Sequence, residues 1–389
     1  MRIGIDAHEL CGRPTGAGRY LAGLLTAWSA AGSDEPARRH DFLLYAPEAL
    51  GVRLDARRFP TRLVPGRPSV WWEQVRLPRV AAADHLDVFF SPAYTVPLAF
   101  RVPTVVAIHD LSFFAHPEWF RTREGLRRRW LTRRAAANAR AIVTISEFSR
   151  GELIERLDVP DSRIHVIPPG VGAGGWGLVT GSSGLVTGEA RHSAEGADAE
   201  TTSHQPPVTS PYKVLFVGSI FNRRHVPDLI RAFGVVARAH PDASLDLVGD
   251  NRSHPHEDIP QTIAREGLKD RVRWHAYVAD GELRNLYARA RAFAFLSEYE
   301  GLGLTPLEAL AAGVPPVLAD TPVARETCGD AAQYVPASDI PAIARALERA
   351  LFDDRTRAQT LAAAPAALAK YTWPRAARDT LAVLEAVVD

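Results

Sequence analysis

A chain of 389 residues exceeds what one ordinary core organises and leaves room for two globular domains. Its 46 basic and 45 acidic side chains leave a formal charge of +1, so overall charge gives no reason to propose nucleic acid as a partner. Cys11 and Cys328 are the only cysteines and lack metal-ligand spacing, which excludes a disulfide framework and a cysteine-based zinc site and suits a reducing compartment.

The chain opens on the strand-like MRIGID, and no apolar run approaches the roughly 20 residues of a membrane span. A cytoplasmic protein is expected, in contact at most with the cytoplasmic face of a membrane. RIGIDA leads into a helical pattern from Tyr20 to Trp28, then DFLLYA, VFFS and PTVVAIHD, a helix from Arg121 to Ala139, and AIVTIS. This strand and helix alternation predicts a parallel sheet. Residues 172 to 210 turn to Gly, Ser, Thr, Ala and His, with GLVTG written twice, and read as a flexible linker or inserted loop.

The same grammar then returns: KVLFVG, a helix through Leu229 to Ala237, SLDLVGD, a helix near Ile259, VRWHAYV, AFAFLS and PPVLAD. A last helix follows YTWP, with Pro374 in its first turn and Leu381, Leu384 and Val387 on one face. The expected organisation is an N-terminal domain over 1–171, the linker, a C-terminal domain over 211–370, and a terminal helix over 371–389. Two doubly wound domains create a cleft at the carboxyl ends of their strands, where such sheets bind ligands.

The richest segment for chemistry is SEYEGLGLTPLEALAAGVPPVLAD, from Ser297 to Asp320. After the strand AFAFL, a turn containing Gly301, Leu302 and Gly303 enters a helix at Leu304, Thr305 and Pro306. The free N–H groups and positive dipole end suit diphosphate or sugar oxygens. Glu300 before the turn and Glu308 on the helix are bidentate acceptors suited to hydroxyl pairs. In FVGSIFNRRHVPDLIRAF, Ser219, Arg223 and Arg224 follow a strand, and either guanidinium could neutralise a departing diphosphate. In GRPTGAGRY, Gly16 and Gly18 permit close backbone approach to a ligand, but the full dinucleotide fingerprint is missing. His109 closes a strand at the cleft edge. Trp71, Trp72 and Glu73 could meet a sugar, with one tryptophan expected in the core. RTREGLRRRWLTRRAAA sets seven arginines against one glutamate, a pattern that fits a solvated face, an anionic lipid surface or a lipid-diphosphate acceptor.

The run EGLGLTPLEALAAGVPPV resembles the donor-site motif of retaining GT-B glycosyltransferases, above all glycosyltransferase family 4, whose two glutamates are separated by seven residues. The order of the early glycine turn, the strand-end His, the basic turn and the Trp-led terminal helix is also similar to that family, over nearly everything outside 172–210. The resemblance implies an α/β GT-B fold of two Rossmann-like domains, with the terminal helix returning to the N-terminal domain. It implies a retaining hexosyltransferase that takes a GDP- or UDP-sugar as co-substrate and no further cofactor, and a glycan or lipid-linked acceptor. The basic turn looks most like mannosyltransferase relatives, which points to mannose.

By the same resemblance His109 contacts the transferred sugar, Tyr277 and Val278 meet the nucleobase, and the Gly16 and Gly18 loop lies across the cleft from the donor phosphates, near the acceptor. Ser219 stands where the family often has Arg, and Ala276 where it has Gly. No Asp-x-Asp occurs, so metal-independent catalysis by fixed positive charge is expected, with His109, Arg224 and Glu300 at its centre. Two other readings are a nucleotide-sugar epimerase on the same fold and a non-catalytic sugar-nucleotide binding module.

Overall fold

The computed structural model describes residues 1–12, 16–32, 35–172 and 210–388. The expected linker falls almost wholly outside these. The N-terminal lobe holds β1 (Arg2–Asp6), β2 (Asp41–Ala46), β3 (Thr61–Leu63), β4 (Val88–Ser91), β5 (Thr104–Ala107), β6 (Ala141–Thr144) and β7 (Ile164–Val166). They pair in the order β3-β2-β1-β4-β5-β6-β7, parallel throughout. The C-terminal lobe holds β8 (Tyr212–Val217), β9 (Ala243–Val248), β10 (Val272–His275), β11 (Ala292–Phe295), β12 (Pro316–Ala319) and β13 (Gln333–Val335). Their order is β10-β9-β8-β11-β12-β13, again parallel. Strands covered on both faces have no reason to alternate polar with apolar. Accordingly β4, β5, β6, β9, β11 and β12 are buried along their whole length.

The strand order reverses between β1 and β4 in one sheet and between β8 and β11 in the other. Loops leaving such neighbours diverge to opposite faces and open a crevice at the carboxyl edge. The segments after β8 and β11 carry FVGSIFNRR and SEYEGLG, so the topology alone brings the basic turn and the first glutamate together.

The chain ends by crossing back. The helix Trp373–Ala386 lies on the first helix, Gly16–Ala30, and Ala376, Leu381 and Leu384 complete the core of the N-terminal lobe. Trp28 Nε1 donates to the Ala377 carbonyl at 2.9 Å, and His40 Nε2 meets Glu385 Oε1 at 2.7 Å. This crossing is close enough to dictate Gly23, where an added Cβ would lie 2.3 Å from the Trp373 ring. Gly23→Ala should therefore overpack the contact and destabilise the protein by about 1–3 kcal/mol. Urea unfolding of both proteins checks this, and an unchanged midpoint would contradict the packing.

Candidate active site

The floor of the C-terminal lobe is set by Gly218, directly after β8. Its φ of +146° and the position of Arg224 Nη1, 2.6 Å from where a Cβ would be, reserve the place for glycine. Arg224 folds beneath it. Its Nη1 donates to the Ser219 carbonyl at 2.8 Å, its Nε to Glu300 Oε1 at 2.9 Å, and its Nη2 lies 2.8 Å from the same oxygen. Ser297 Oγ donates to that oxygen as well, at 2.8 Å. The guanidinium lies 4.9 Å from the Phe295 ring centre and 5.5 Å from that of Phe221. Burial pulls the Arg224 pKa down, and Glu300 opposes the shift. Such a pair gains little net stability from its Coulomb energy once desolvation is counted, but it fixes both groups in place. Arg223 behaves differently. Its Nε donates to the Tyr299 carbonyl at 3.2 Å, and its guanidinium lies between Phe221 at 4.5 Å and Trp119 of the other lobe at 5.5 Å. It makes no ion pair among the described residues.

Past Glu300 the chain turns at Gly303, whose φ is +87°, and enters the helix Leu304–Ala311. Thr327 Oγ1 holds the turn by donating to the Leu302 carbonyl at 2.7 Å. Among the described residues the amides of Leu302, Gly303, Leu304 and Thr305 find no acceptor. Acceptor-free N–H groups at and just before a helix start can serve as an anion cradle. Glu308 follows on the helix, buried, with Tyr287 OH donating to its Oε2 at 3.1 Å. Burial pushes its carboxyl up to about 8, against the pull of nearby Arg19.

The N-terminal lobe meets this turn directly. A Cβ on Gly301 would lie 2.1 Å from the His109 carbonyl oxygen, so glycine is needed for the lobes to touch. Ser146 and Ser149 donate to the Gly301 carbonyl at 2.5 and 3.2 Å. Tyr299 OH donates to Glu152 at 2.9 Å, and Glu326 accepts the amides of Glu147 and Phe148 at 2.7 and 2.9 Å. His109 Nε2 lies 3.1 Å from the Pro92 carbonyl, an oxygen that can only accept, so Nε2 carries the hydrogen. Burial lowers the imidazole pKa, and the neutral ring is left with its lone pair on Nδ1. The Tyr20 and Tyr94 rings pack against it at 4.6 and 6.0 Å.

Residues 14–173 match the model of Glycosyltransferase Family 4, and residues 199–366 that of glycosyl transferases group 1. The chain belongs to the group 1 glycosyltransferases. It is 25% identical to the O-antigen chain mannosyltransferase B of Escherichia coli, over 90% of this chain and 84% of that one. It is 26% identical to the alpha-D-kanosaminyltransferase of Streptomyces kanamyceticus, over 85% and 88%. The GDP-mannose:cellobiosyl-diphosphopolyprenol alpha-mannosyltransferase of Xanthomonas oryzae is 26% identical over 66% of this chain and 60% of its own. The fold is similar to that of Anabaena HepE in complex with UDP and glucose, with a TM-score of 0.70 and 19% identity over 99% and 100% of the two chains.

In this glycosyltransferase the structure brings together Ser219, Arg223, Arg224, Glu300 to Thr305 and His109 around one place. Tyr277 is 64% exposed and Val278 buried on the segment after β10, on the side of Asp280 and Arg19. The expectation of a glycine loop at Gly16 and Gly18 needs correcting. Both lie in the first turn of the helix Gly16–Ala30, Gly18 is buried, and a Cβ on Gly16 would meet nothing within 4 Å. Residues 13 to 15 lie outside the described ones.

Two charged groups escaped the sequence reading. Arg19 follows that glycine pair and interacts with Glu308, Asp280, Tyr277 and Tyr287 in the other lobe, which a basic residue after Gly-x-Gly could have suggested. His8 lies 2.8 Å from Asp6, whose charge pushes it up to about 11, and no motif marked it. Of the two tryptophans, Trp72 is buried and donates to the Val64 carbonyl at 2.7 Å, while Trp71 is 62% exposed.

The buried Glu308 yields a pH test. Its carboxyl rises from 4.5 to about 8, so between these values the folded protein keeps a proton that the unfolded chain releases. Stability from this group is complete below that window and is lost as pH rises through it. Wild type should therefore lose stability relative to Glu308→Gln between pH 6 and 8 in urea unfolding. Parallel pH profiles would contradict the burial.

Proposed function

We propose that this enzyme transfers a hexose, with mannose first among candidates, from a nucleoside-diphosphate sugar to a glycan or lipid-linked acceptor in the cytoplasm, with retention of configuration. The observation that carries the reading is the cradle of acceptor-free amides from Leu302 to Thr305, beside the buried Arg224 and Glu300 pair. Amides and guanidinium suit the diphosphate. Glu300 and Glu308 suit sugar and ribose hydroxyls. The O-antigen mannosyltransferase and the GDP-mannose-dependent relative favour mannose and GDP, whereas HepE was crystallised with UDP.

As the bond between the anomeric carbon and the diphosphate oxygen lengthens, negative charge grows on the leaving group. Arg224 meets it without reorganising, because Glu300 and Ser219 already hold it. Arg223, with no carboxylate partner among the described residues, supplies the second cation. His109 accepts a sugar hydroxyl on Nδ1 and so orients the ring. The acceptor hydroxyl attacks from the face that the diphosphate leaves, and its proton passes to a diphosphate oxygen. Charge compensation by arginine makes the transfer independent of an added divalent metal.

Four measurements test this. A panel of GDP-mannose, UDP-glucose and UDP-galactose should raise the melting temperature, most for the true donor, since only the folded state binds it. With that donor, Arg224→Ala and Glu300→Ala should lower turnover by about 10²–10³ while the far-UV spectrum stays native; wild-type rates in both would refute the assignment. Turnover should survive excess EDTA. Product analysis must then show a new glycosidic bond of the donor's anomeric configuration rather than a free, epimerised nucleotide sugar.

A further inference from the structure

The arginine-rich segment folds as the helix Thr122–Asn138 on the outside of the N-terminal lobe. Gly125, Thr132, Ala135 and Ala136 face the lobe. Arg129 Nη1 donates to the Phe113 carbonyl at 3.1 Å, and Arg128 and Arg133 lie over the Phe113 and Phe114 rings at 5.5 and 5.4 Å. These contacts tie one side of the helix down. At about 100° per residue, Arg123, Leu126, Arg127, Trp130 and Arg134 fall within an arc of about 100° on the opposite side. Leu126 and Trp130 are each 55% exposed, and Arg134 lies over the Trp130 ring at 5.7 Å. None of the arginines between 121 and 134 forms an ion pair among the described residues.

This is an apolar pair set among uncompensated cations. A solvated helix face has no need of an exposed tryptophan and leucine one turn apart, and a nucleic-acid site has no need of the leucine. An anionic bilayer surface uses both components: guanidinium groups meet lipid phosphates, and the indole and leucine enter the interfacial layer. We infer that this face docks the enzyme on an anionic lipid surface. The helix begins just after Trp119, whose ring stacks on His116 at 3.8 Å and lies 5.5 Å from the Arg223 guanidinium. Docking there holds the mouth of the cleft beside the lipid headgroups. The inference deepens the lipid-linked acceptor reading and rests on it for its purpose, though not for its geometry.

Co-sedimentation of the full chain with vesicles tests it, using phosphatidylcholine alone and an equal mixture with phosphatidylglycerol. The wild type should pellet with the mixed vesicles and stay in solution with the neutral ones. Arg123→Glu combined with Arg127→Glu should reduce the bound fraction at least tenfold, and so should Leu126→Ser combined with Trp130→Ser. Donor-induced thermal stabilisation, measured on the same preparations, should be unchanged, which separates failure of docking from failure of the donor site. Equal binding to both vesicle types, no binding to either, or binding indifferent to the Leu126 and Trp130 changes would overturn the inference. So would capture of RNA that depends on the arginines alone.

Discussion

A guanidinium locked against a carboxylate beneath a glycine is the constraint on which this site depends. Gly218 can lie over Arg224 only without a Cβ, and Arg224 is held there only because Glu300 comes round from the neighbouring strand to meet it. The adjacency of β8 and β11 at the reversal of strand order makes that meeting unavoidable. The pair is a poor source of net folding energy, since both ions are stripped of water. Its value is positional: a fixed cation and a fixed acceptor are presented before any ligand arrives.

The same turn also joins the lobes. Gly301 presses on the His109 carbonyl, and its own carbonyl is held by Ser146 and Ser149. Tyr299 reaches into the N-terminal lobe to Glu152, and Glu326 caps the start of the helix Glu147–Leu157. A helix N-terminus attracts a carboxylate through its free amides and its dipole, so this cap is a favourable link between lobes. Residues proposed to contact the donor and residues that set the lobe spacing are thus neighbours in one segment, SEYEGLG.

Much of this was legible in the sequence. Strand and helix periodicity marked both sheets, because strands buried on both faces are written as short continuous apolar runs. The turn at Gly303 into a helix was legible from its glycines and the residues that follow, whereas Glu300 and Glu308 at their spacing alone were uninformative and stood out only through the resemblance to glycosyltransferase family 4. Gly16 and Gly18 misled, since two glycines a residue apart suit a loop and the first turn of a helix equally; tertiary packing of the first helix on the terminal helix decided for the latter. Arg19 and His8 were invisible for another reason. Arg19 matters through a partner far along the chain, and His8 through Asp6, whose burial no local pattern announces.

The central claim is that a nucleoside diphosphate lies in the interlobe gap over the Leu302 to Thr305 amides, and a crystal structure of the enzyme soaked with GDP or UDP tests it most directly. Phosphate oxygens should lie within hydrogen-bond distance of those amides and of Arg223 or Arg224, with ribose hydroxyls on Glu308. Density for the nucleotide elsewhere, with the amide cradle and Glu308 untouched, would contradict it.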